Sequence, residues 1–98
     1  MNKDNILLLF EKIINELNVK EKVELKVINK RKYEVCGTFC MRGNIAVIHI
    51  NKYYNKDIIE LHDTICHELA HCQYRMYHTK KHKSLTHQYK IKTKHLIK

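Results

Sequence analysis

The sequence predicts one small α+β domain: an N-terminal helix, a small three-stranded and mainly antiparallel sheet, a motif-bearing helix and a C-terminal helix. Two observations support this class. Apolar residues recur every three or four positions near the start of the chain and again after residue 57, as in amphipathic helices. Between these segments, short apolar stretches are separated by polar turns, as in strands. The 98 residues suffice for a single domain, assigned to residues 1–98.

The first two elements follow from their periodicity. Residues 5–17 carry apolar side chains at helical spacing, and Asn2 or Asp4 can cap the helix. In residues 23–27, Val23, Leu25 and Val27 alternate with charged residues, which is typical of a strand with one buried face.

Two further strands are expected before the second helix. Tyr33 and Val35 begin the second strand, which extends through residues 38–40 and bends at Gly37. After a turn at residues 43–44, residues 45–50 form the third and most apolar strand.

The second half of the chain predicts two helices. Asn55 or Asp57 can cap a long helix that begins near residue 58 and extends to residue 74 or beyond. A final helix is expected over residues 81–97, with Thr79 as its cap. The first of these helices has an apolar stripe that consists of Ile58, Leu61, Ile65, Leu69, Cys72 and Met76. The final helix carries Leu85, Tyr89, Ile91 and Leu96 at less regular spacing.

Charge is distributed unevenly. The formal net charge is +9, and Glu68 is the last acidic residue of the chain. Residues 69–98 therefore carry basic residues and no acidic ones. Such a segment indicates either contact with a polyanion such as nucleic acid or a solvated helix face. The candidate nucleic-acid-binding residues are Arg75, Lys80, Lys81, Lys83, Lys90, Lys92 and Lys94.

Hydropathy and cysteine content indicate the compartment. No apolar run approaches the roughly 20 residues of a membrane span, and the first residues lack the pattern of a secretory signal. We therefore expect a cytoplasmic protein that makes no membrane contact and is a monomer. Its cysteines are expected to be reduced, small, buried residues: Cys36, Cys40, Cys66 and Cys72.

The segment HELAH, at residues 67–71, contains the candidate metal-binding and catalytic residues. Two histidines four residues apart on a helix lie on one face, so His67 and His71 can bind one metal ion. Glu68 lies about 100° further around the helix, beside such an ion rather than in line with the histidines. A carboxylate there can take a proton from zinc-bound water, which is the chemistry of HExxH metallopeptidases. The alternative is a surface helix whose histidines occur by chance.

A zinc site of this kind needs a third protein ligand. An unbroken helix would carry His78 about 16 Å along the axis from His67, so the chain must turn back after about residue 74. His78 is then the first candidate and His82 the alternative, while His49 and His62 are expected to be surface or sheet residues.

The HELAH segment and the following YHTKKHKSLTHQY together resemble the minimal zinc metallopeptidase domains of the SprT-like and WLM type. The preceding NIAVIHIN is also similar to that group, and the resemblance spans about residues 43–89. It implies one Zn²⁺ held by His67, His71 and His78, with Glu68 as the catalytic acid and base. Leu85 falls at a position that is usually apolar in the closing helix.

The sequence departs from this group in two places. His82 stands where an aromatic residue is expected, and the glycine that often adjoins the third histidine is missing. The resemblance implies hydrolysis of protein or peptide substrates, and in this group the best-known substrates are proteins bound or crosslinked to DNA. Residues 45–50 are expected to form an edge strand that binds an extended substrate.

Two other function classes are compatible with the sequence. One is a basic nucleic-acid-binding module with a structural zinc, in which Cys72 or His82 would be the fourth ligand. The other is a metal-free helical interaction protein.

Overall fold

A computed structural model describes residues 2–75 and 78–98 of the chain. This part contains three α-helices and a small three-stranded mixed sheet, so the predicted α+β class is confirmed. The elements, in chain order, are α1 (Lys3–Leu17), β1 (Lys22–Ile28), β2 (Gly37–Arg42), β3 (Ile45–Asn51), α2 (Ile58–Ala70) and α3 (Lys80–Thr93). Short 3₁₀ turns follow β3 and α3, at Lys52–Tyr54 and Lys94–Ile97.

Helix α1 begins two residues earlier than predicted. The side chain of Asn2, rather than that of Asp4, accepts a hydrogen bond from the backbone N–H of Asn5. The helix ends at Asn18, which has a left-handed backbone with φ of 53°, a conformation that asparagine tolerates well. Of the apolar side chains at helical spacing, Ile6, Leu9, Phe10 and Ile13 are buried, and Ile14 and Leu17 are partly buried.

Strand β3 lies in the centre of the sheet, whose strand order is β1-β3-β2. It pairs in parallel with β1 and antiparallel with β2. The prediction that residues 45–50 form an edge strand is therefore wrong. The near-continuous apolar run in β3 suits a central strand, which has a neighbouring strand on each side, and Ala46, Val47, Ile48 and Ile50 are all buried.

Strand β2 begins only at Gly37, so the predicted strand content of Tyr33 and Val35 is also wrong. Both side chains are exposed, and the buried amide of Asn51 donates hydrogen bonds to the backbone carbonyls of Lys30 and Tyr33. Because Asn51 satisfies these carbonyls, the residues around Lys30 and Tyr33 form a loop that is hydrogen-bonded to the end of β3 and does not extend the sheet.

Helix α2 begins where predicted but ends earlier. The Asp57 carboxylate accepts from the N–H of Glu60 and caps the helix. The last helical residue is Ala70, and its carbonyl then accepts hydrogen bonds from the N–H groups of Gln73 and Tyr74 in a tight turn. Leu61, Ile65 and Leu69 of the predicted stripe are buried, and so is Cys72 beyond the helix end, whereas Ile58 is exposed and Met76 lies outside the described residues.

Helix α3 returns along α2. Thr79 caps it as predicted, because its hydroxyl accepts from the N–H of His82. Leu85, Tyr89 and Leu96 are partly buried, but Ile91 is exposed. No helix in residues 2–75 and 78–98 has the length and apolar character needed to cross a membrane.

The cysteines divide into two pairs, and all four are free thiols. Cys66 and Cys72 are buried as predicted. Cys36 and Cys40 are exposed, which contradicts the prediction. Cys36 lies in the loop before β2, and Cys40 falls on the outward face of a strand whose burial alternates.

A buried polar contact joins α2 to the end of α3. His62 is 3% exposed, so its prediction as a surface or sheet residue is wrong. The Thr93 hydroxyl donates to the carbonyl of Tyr89 and accepts from Nε2 of His62, with an N–O distance of 2.6 Å. Burial lowers the pKa of His62, which favours the neutral ring, and in the neutral ring this bond places the proton on Nε2.

Replacing Thr93 with Val should lower the free energy of unfolding by about 1–3 kcal/mol, because the buried N–H of His62 loses its acceptor. The measurement is chemical denaturation at pH 7. Thr93→Ser keeps the hydroxyl and should lose less stability than Thr93→Val. Equal losses in the two variants would show that the hydroxyl contributes nothing.

Candidate metal centre

Four histidines converge where the end of α2 meets the start of α3. His67 and His71 come from the last turn of α2 and its C-cap, His78 directly precedes the cap of α3, and His82 lies in its first turn. Their ring centroids are 4.1 to 5.3 Å apart in all six pairs. We call these four residues the histidine cluster.

The distances within the cluster suit a metal ion. The ligand nitrogens of His67, His71 and His82 all lie within 4.8 Å of one another, so these three side chains are close enough to hold one ion. Nε2 of His78 lies 3.0 Å from Nε2 of His67 and 3.3 Å from Nε2 of His71. Two ligands of a tetrahedral zinc with bonds of about 2.0–2.1 Å are about 3.4 Å apart. Both His78 distances are therefore close to those of ligands on a common ion.

Backbone carbonyls fix the orientation of two rings. Nδ1 of His71 lies 2.9 Å from the carbonyl oxygen of Tyr74, and Nε2 of His82 lies 3.0 Å from that of His67. A carbonyl only accepts, so each of these nitrogens carries the proton and the other ring nitrogen keeps a lone pair. Such contacts to the second ring nitrogen are typical of metal-bound histidine. The Phe39 ring, 5.7 Å from that of His71, supports this ring from β2.

Two of the imidazoles, those of His67 and His82, favour the neutral form that binds metal. The pKa of His67 is lowered to about 4, chiefly by burial and in the same direction by the neighbouring imidazoles. The pKa of His82 is likewise lowered, chiefly by burial. Near pH 7 both rings therefore offer a lone pair rather than a positive charge.

Glu68 lies beside the cluster with its carboxylate against the start of β2. It is 5% exposed, and burial raises its pKa to about 7. It lines two clefts of about 340 and 230 Å³, both of which are also bordered by Gly37 and His67. The carboxylate thus borders space that a small molecule or a peptide can enter, next to the rings that can hold an ion.

Close packing at Gly37 brings β2 to Glu68. A Cβ atom at Gly37 would lie 2.9 Å from Cγ2 of Thr64, 3.0 Å from the carbonyl oxygen of His49 and 3.1 Å from Oε2 of Glu68. Any larger residue would push the strand away from α2. The Thr64 hydroxyl also donates to Asn55, whose amide donates to the carbonyl of Cys36, so this approach is held by hydrogen bonds.

The structure brings together most of the residues that the sequence singled out. His67, His71, His78 and Glu68 lie at one site, and His82 joins them. Cys72, the other candidate fourth ligand, packs in the apolar core, and burial raises the pKa of its thiol to about 11.

The sequence did not predict the supporting roles of Gly37, Phe39 and Asn55, although Gly37 was expected to bend the second strand and Asn55 was a candidate helix cap. These roles depend on contacts between elements that are distant in sequence.

The basic residues lie mostly in solvent. Lys80, Lys81, Lys83, Lys92 and Lys94 are exposed on and just beyond α3. Lys90 is partly buried, and its Nζ lies 3.0 Å from Oδ1 of Asp63. Arg75 is exposed and borders the smaller cleft together with His78.

Comparisons with known proteins return no relatives. No protein-family model matches the chain, and neither a curated protein nor a solved structure matches it significantly.

The wild-type protein should bind one equivalent of Zn²⁺, and His71→Gln should weaken that binding by at least about 10-fold because it removes a lone pair from the cluster. The measurement is zinc competition against a chromogenic chelator, with protein purified without a histidine tag. His87→Gln is the matched control, since His87 is exposed on α3 outside the cluster. Equal affinities of the two variants would argue against a metal site in the cluster.

Proposed function

We propose that the protein is a zinc-dependent peptidase. In this proposal, His67 and His71 hold the ion together with a third imidazole, which the cluster offers in His78 and again in His82. Glu68 is the acid and base. The observation that carries the proposal is the histidine cluster beside a buried carboxylate that opens to two clefts.

The donor set favours zinc among common metals. Neutral imidazole nitrogens suit zinc and its transition-metal neighbours, whereas calcium and magnesium prefer oxygen ligands. A bound zinc ion supplies a Lewis acid and lowers the pKa of water in its coordination sphere to about 7.

Glu68 supplies the proton transfer. Its carboxylate is adjacent in sequence to His67 and lines the same clefts, so it can take a proton from water at the site and return it to the leaving amine. Burial, which raises the pKa of this carboxyl to about 7, makes it a stronger base than an exposed glutamate, although a nearby cation acts in the opposite direction.

Strand β2 supports the binding of an extended substrate. It is an edge strand of the sheet, and Gly37, Thr38 and Phe39 border the smaller cleft next to His71. An edge strand presents backbone N–H and C=O groups that a peptide can pair with. Pairing there would bring a peptide backbone past Glu68 and the histidine cluster.

The resemblance to SprT-like and WLM-type metallopeptidases supports the same activity. It depends on HELAH and on the following histidine at His78, and the site geometry is compatible with both. Membership of that group is part of the proposal.

Changing Glu68 to Gln should leave zinc binding intact and lower the rate of peptide hydrolysis by about 10²–10⁴-fold, because an amide cannot act as the base. The measurement is cleavage of an unfolded, fluorescently quenched protein substrate by the zinc-loaded chain. Glu60→Gln, an exposed carboxylate at the start of the same helix, is the control and should retain activity. Turnover by the Glu68 variant at the wild-type rate would defeat this mechanism.

A second property, contact with nucleic acid, is favoured by the exposed lysines of α3. We propose that these lysines hold the peptidase near proteins bound to nucleic acid. Lys80, Lys81 and Lys83 are the lysines of the first turn of α3, which also carries His82 of the cluster. A nucleic-acid strand bound at these lysines would lie beside the histidine cluster.

Replacing Lys80, Lys81 and Lys83 together with Gln should weaken binding to single-stranded DNA. The slope of log affinity against log salt concentration should also become shallower, by about 0.7 for each phosphate that the variant no longer neutralises. The measurement is fluorescence anisotropy over a salt series. The matched control changes Lys12, Lys22 and Lys26, three exposed lysines of α1 and β1, to Gln and removes the same charge. Equal effects in the two triple variants would show that only net charge attracts DNA.

A further inference from the structure

We propose that His82 is a fourth ligand of the zinc ion, so that the resting site is closed by four imidazoles and opens when His78 gives up its position to a substrate. This inference rests on the zinc peptidase proposed above and adds a form of regulation to it. Its basis is the chemistry of one nitrogen atom, Nδ1 of His82.

Nδ1 of His82 is a buried nitrogen whose lone pair has no hydrogen-bond partner among the described residues. The side chain is 1% exposed, and Nδ1 is the one buried side-chain nitrogen or oxygen in residues 2–75 and 78–98 that lacks a hydrogen-bond partner. Nε2 of the same ring donates to the carbonyl of His67, so the proton is on Nε2 and Nδ1 can only accept or bind a metal. Buried acceptors are almost always satisfied, which makes this atom an exception that needs an explanation.

The neighbours of His82 do not offer a proton to this lone pair. The ring of His82 stacks on that of His71 with centroids 4.1 Å apart, but the ring proton of His71 is on Nδ1, which bonds to the carbonyl of Tyr74. A histidine that merely supported a metal ligand would contact that ligand's second ring nitrogen. His82 instead bonds to the backbone of His67 through Nε2, and it is one of the three histidines close enough to share an ion, with His67 and His71. Because Nε2 is engaged with this carbonyl, Nδ1 is the nitrogen left to bind the ion.

His78 is the ligand best placed to withdraw. It is exposed, it precedes the cap of α3 and so lies outside the helix, and it borders the smaller cleft with Arg75. His67 and His82 lie within helices and His71 caps α2, while backbone carbonyls also hold the second nitrogens of His71 and His82. Of the four histidines, His78 is the most exposed and lies outside the helices, and no backbone carbonyl bond is given up when its ring moves away.

Four imidazoles would complete the tetrahedral coordination of zinc. Catalytic zinc sites keep one position open, whereas four protein ligands are typical of closed sites. Without substrate, the protein would therefore be inactive as a peptidase, because no position on the zinc would be open. A peptide entering the cleft beside His78 would compete with that imidazole, leaving His67, His71 and His82 as the retained ligands.

The test counts imidazoles on zinc by X-ray absorption spectroscopy of the full, zinc-loaded chain. We expect four nitrogen ligands of imidazole type in the wild type and three in His82→Gln, with an oxygen ligand in the fourth place. Gln is chosen because its amide N–H can replace the donor to the carbonyl of His67, while it lacks the Nδ1 lone pair. His82→Phe serves as a second variant that fills the buried space with a ring.

His78→Ala provides the functional arm. It should also contain three imidazoles, and its kcat/KM for peptide hydrolysis should exceed that of the wild type by about 10-fold or more, because no ligand has to be displaced. Three imidazoles in the wild type, with the same count in both His82 variants, would overturn the inference even if the Glu68 variant is inactive.

The two proposals fail in different ways. Four imidazoles in the wild type together with no hydrolysis by the wild type or by His78→Ala would support the coordination of His82 and refute the peptidase. In that case the zinc would be structural.

Discussion

The hydrogen bond from Nε2 of His82 to the carbonyl of His67 is the contact on which the site depends. It joins the first turn of α3 to the last turn of α2, so it fixes where the chain returns after α2 ends at Ala70. The same bond sets the tautomer of His82 and directs its free nitrogen away from the carbonyl. With α3 held there, His78 at its entrance lies within 3.3 Å of Nε2 of His71 and 3.0 Å of Nε2 of His67.

Local pattern was sufficient to predict the elements of the fold. Spacings of three and four residues indicated α1 and α2, and the caps Asn2, Asp57 and Thr79 are residue types whose side chains satisfy helix N–H groups. The motif histidines also followed from spacing, because a helical turn brings positions 67 and 71 to one face. These features depend on residues within one turn of each other, which is the range that sequence periodicity reports.

Features that depend on distant contacts could not be predicted. The extent of β2 depends on Asn51, whose amide donates to the carbonyls of Lys30 and Tyr33, and nothing local to Tyr33 indicates this. The position of β3 in the sheet depends on which strands pair, and its apolar run was the signal for a central strand, although the prediction placed it at an edge. His62 was misjudged for a similar reason, since its partner Thr93 lies 31 residues further along the chain.

Glu68 favours the proposed catalytic role of the cluster over a structural one. A carboxyl that is 5% exposed and whose pKa rises to about 7 is costly to keep in a small domain, because burial disfavours its charged form. A purely structural metal site has no need of it, and a neutral residue of similar size would pack against Gly37 without that cost. Because Gly37 has no side chain, the Glu68 carboxylate can lie so close to it that no Cβ atom would fit between them. Hydrogen bonds of Asn55 and Thr64 hold strand β2 in this position. The packing around Glu68 is thus arranged to keep an acid beside the histidines, and proton transfer is the chemistry for which a carboxyl so placed is suited.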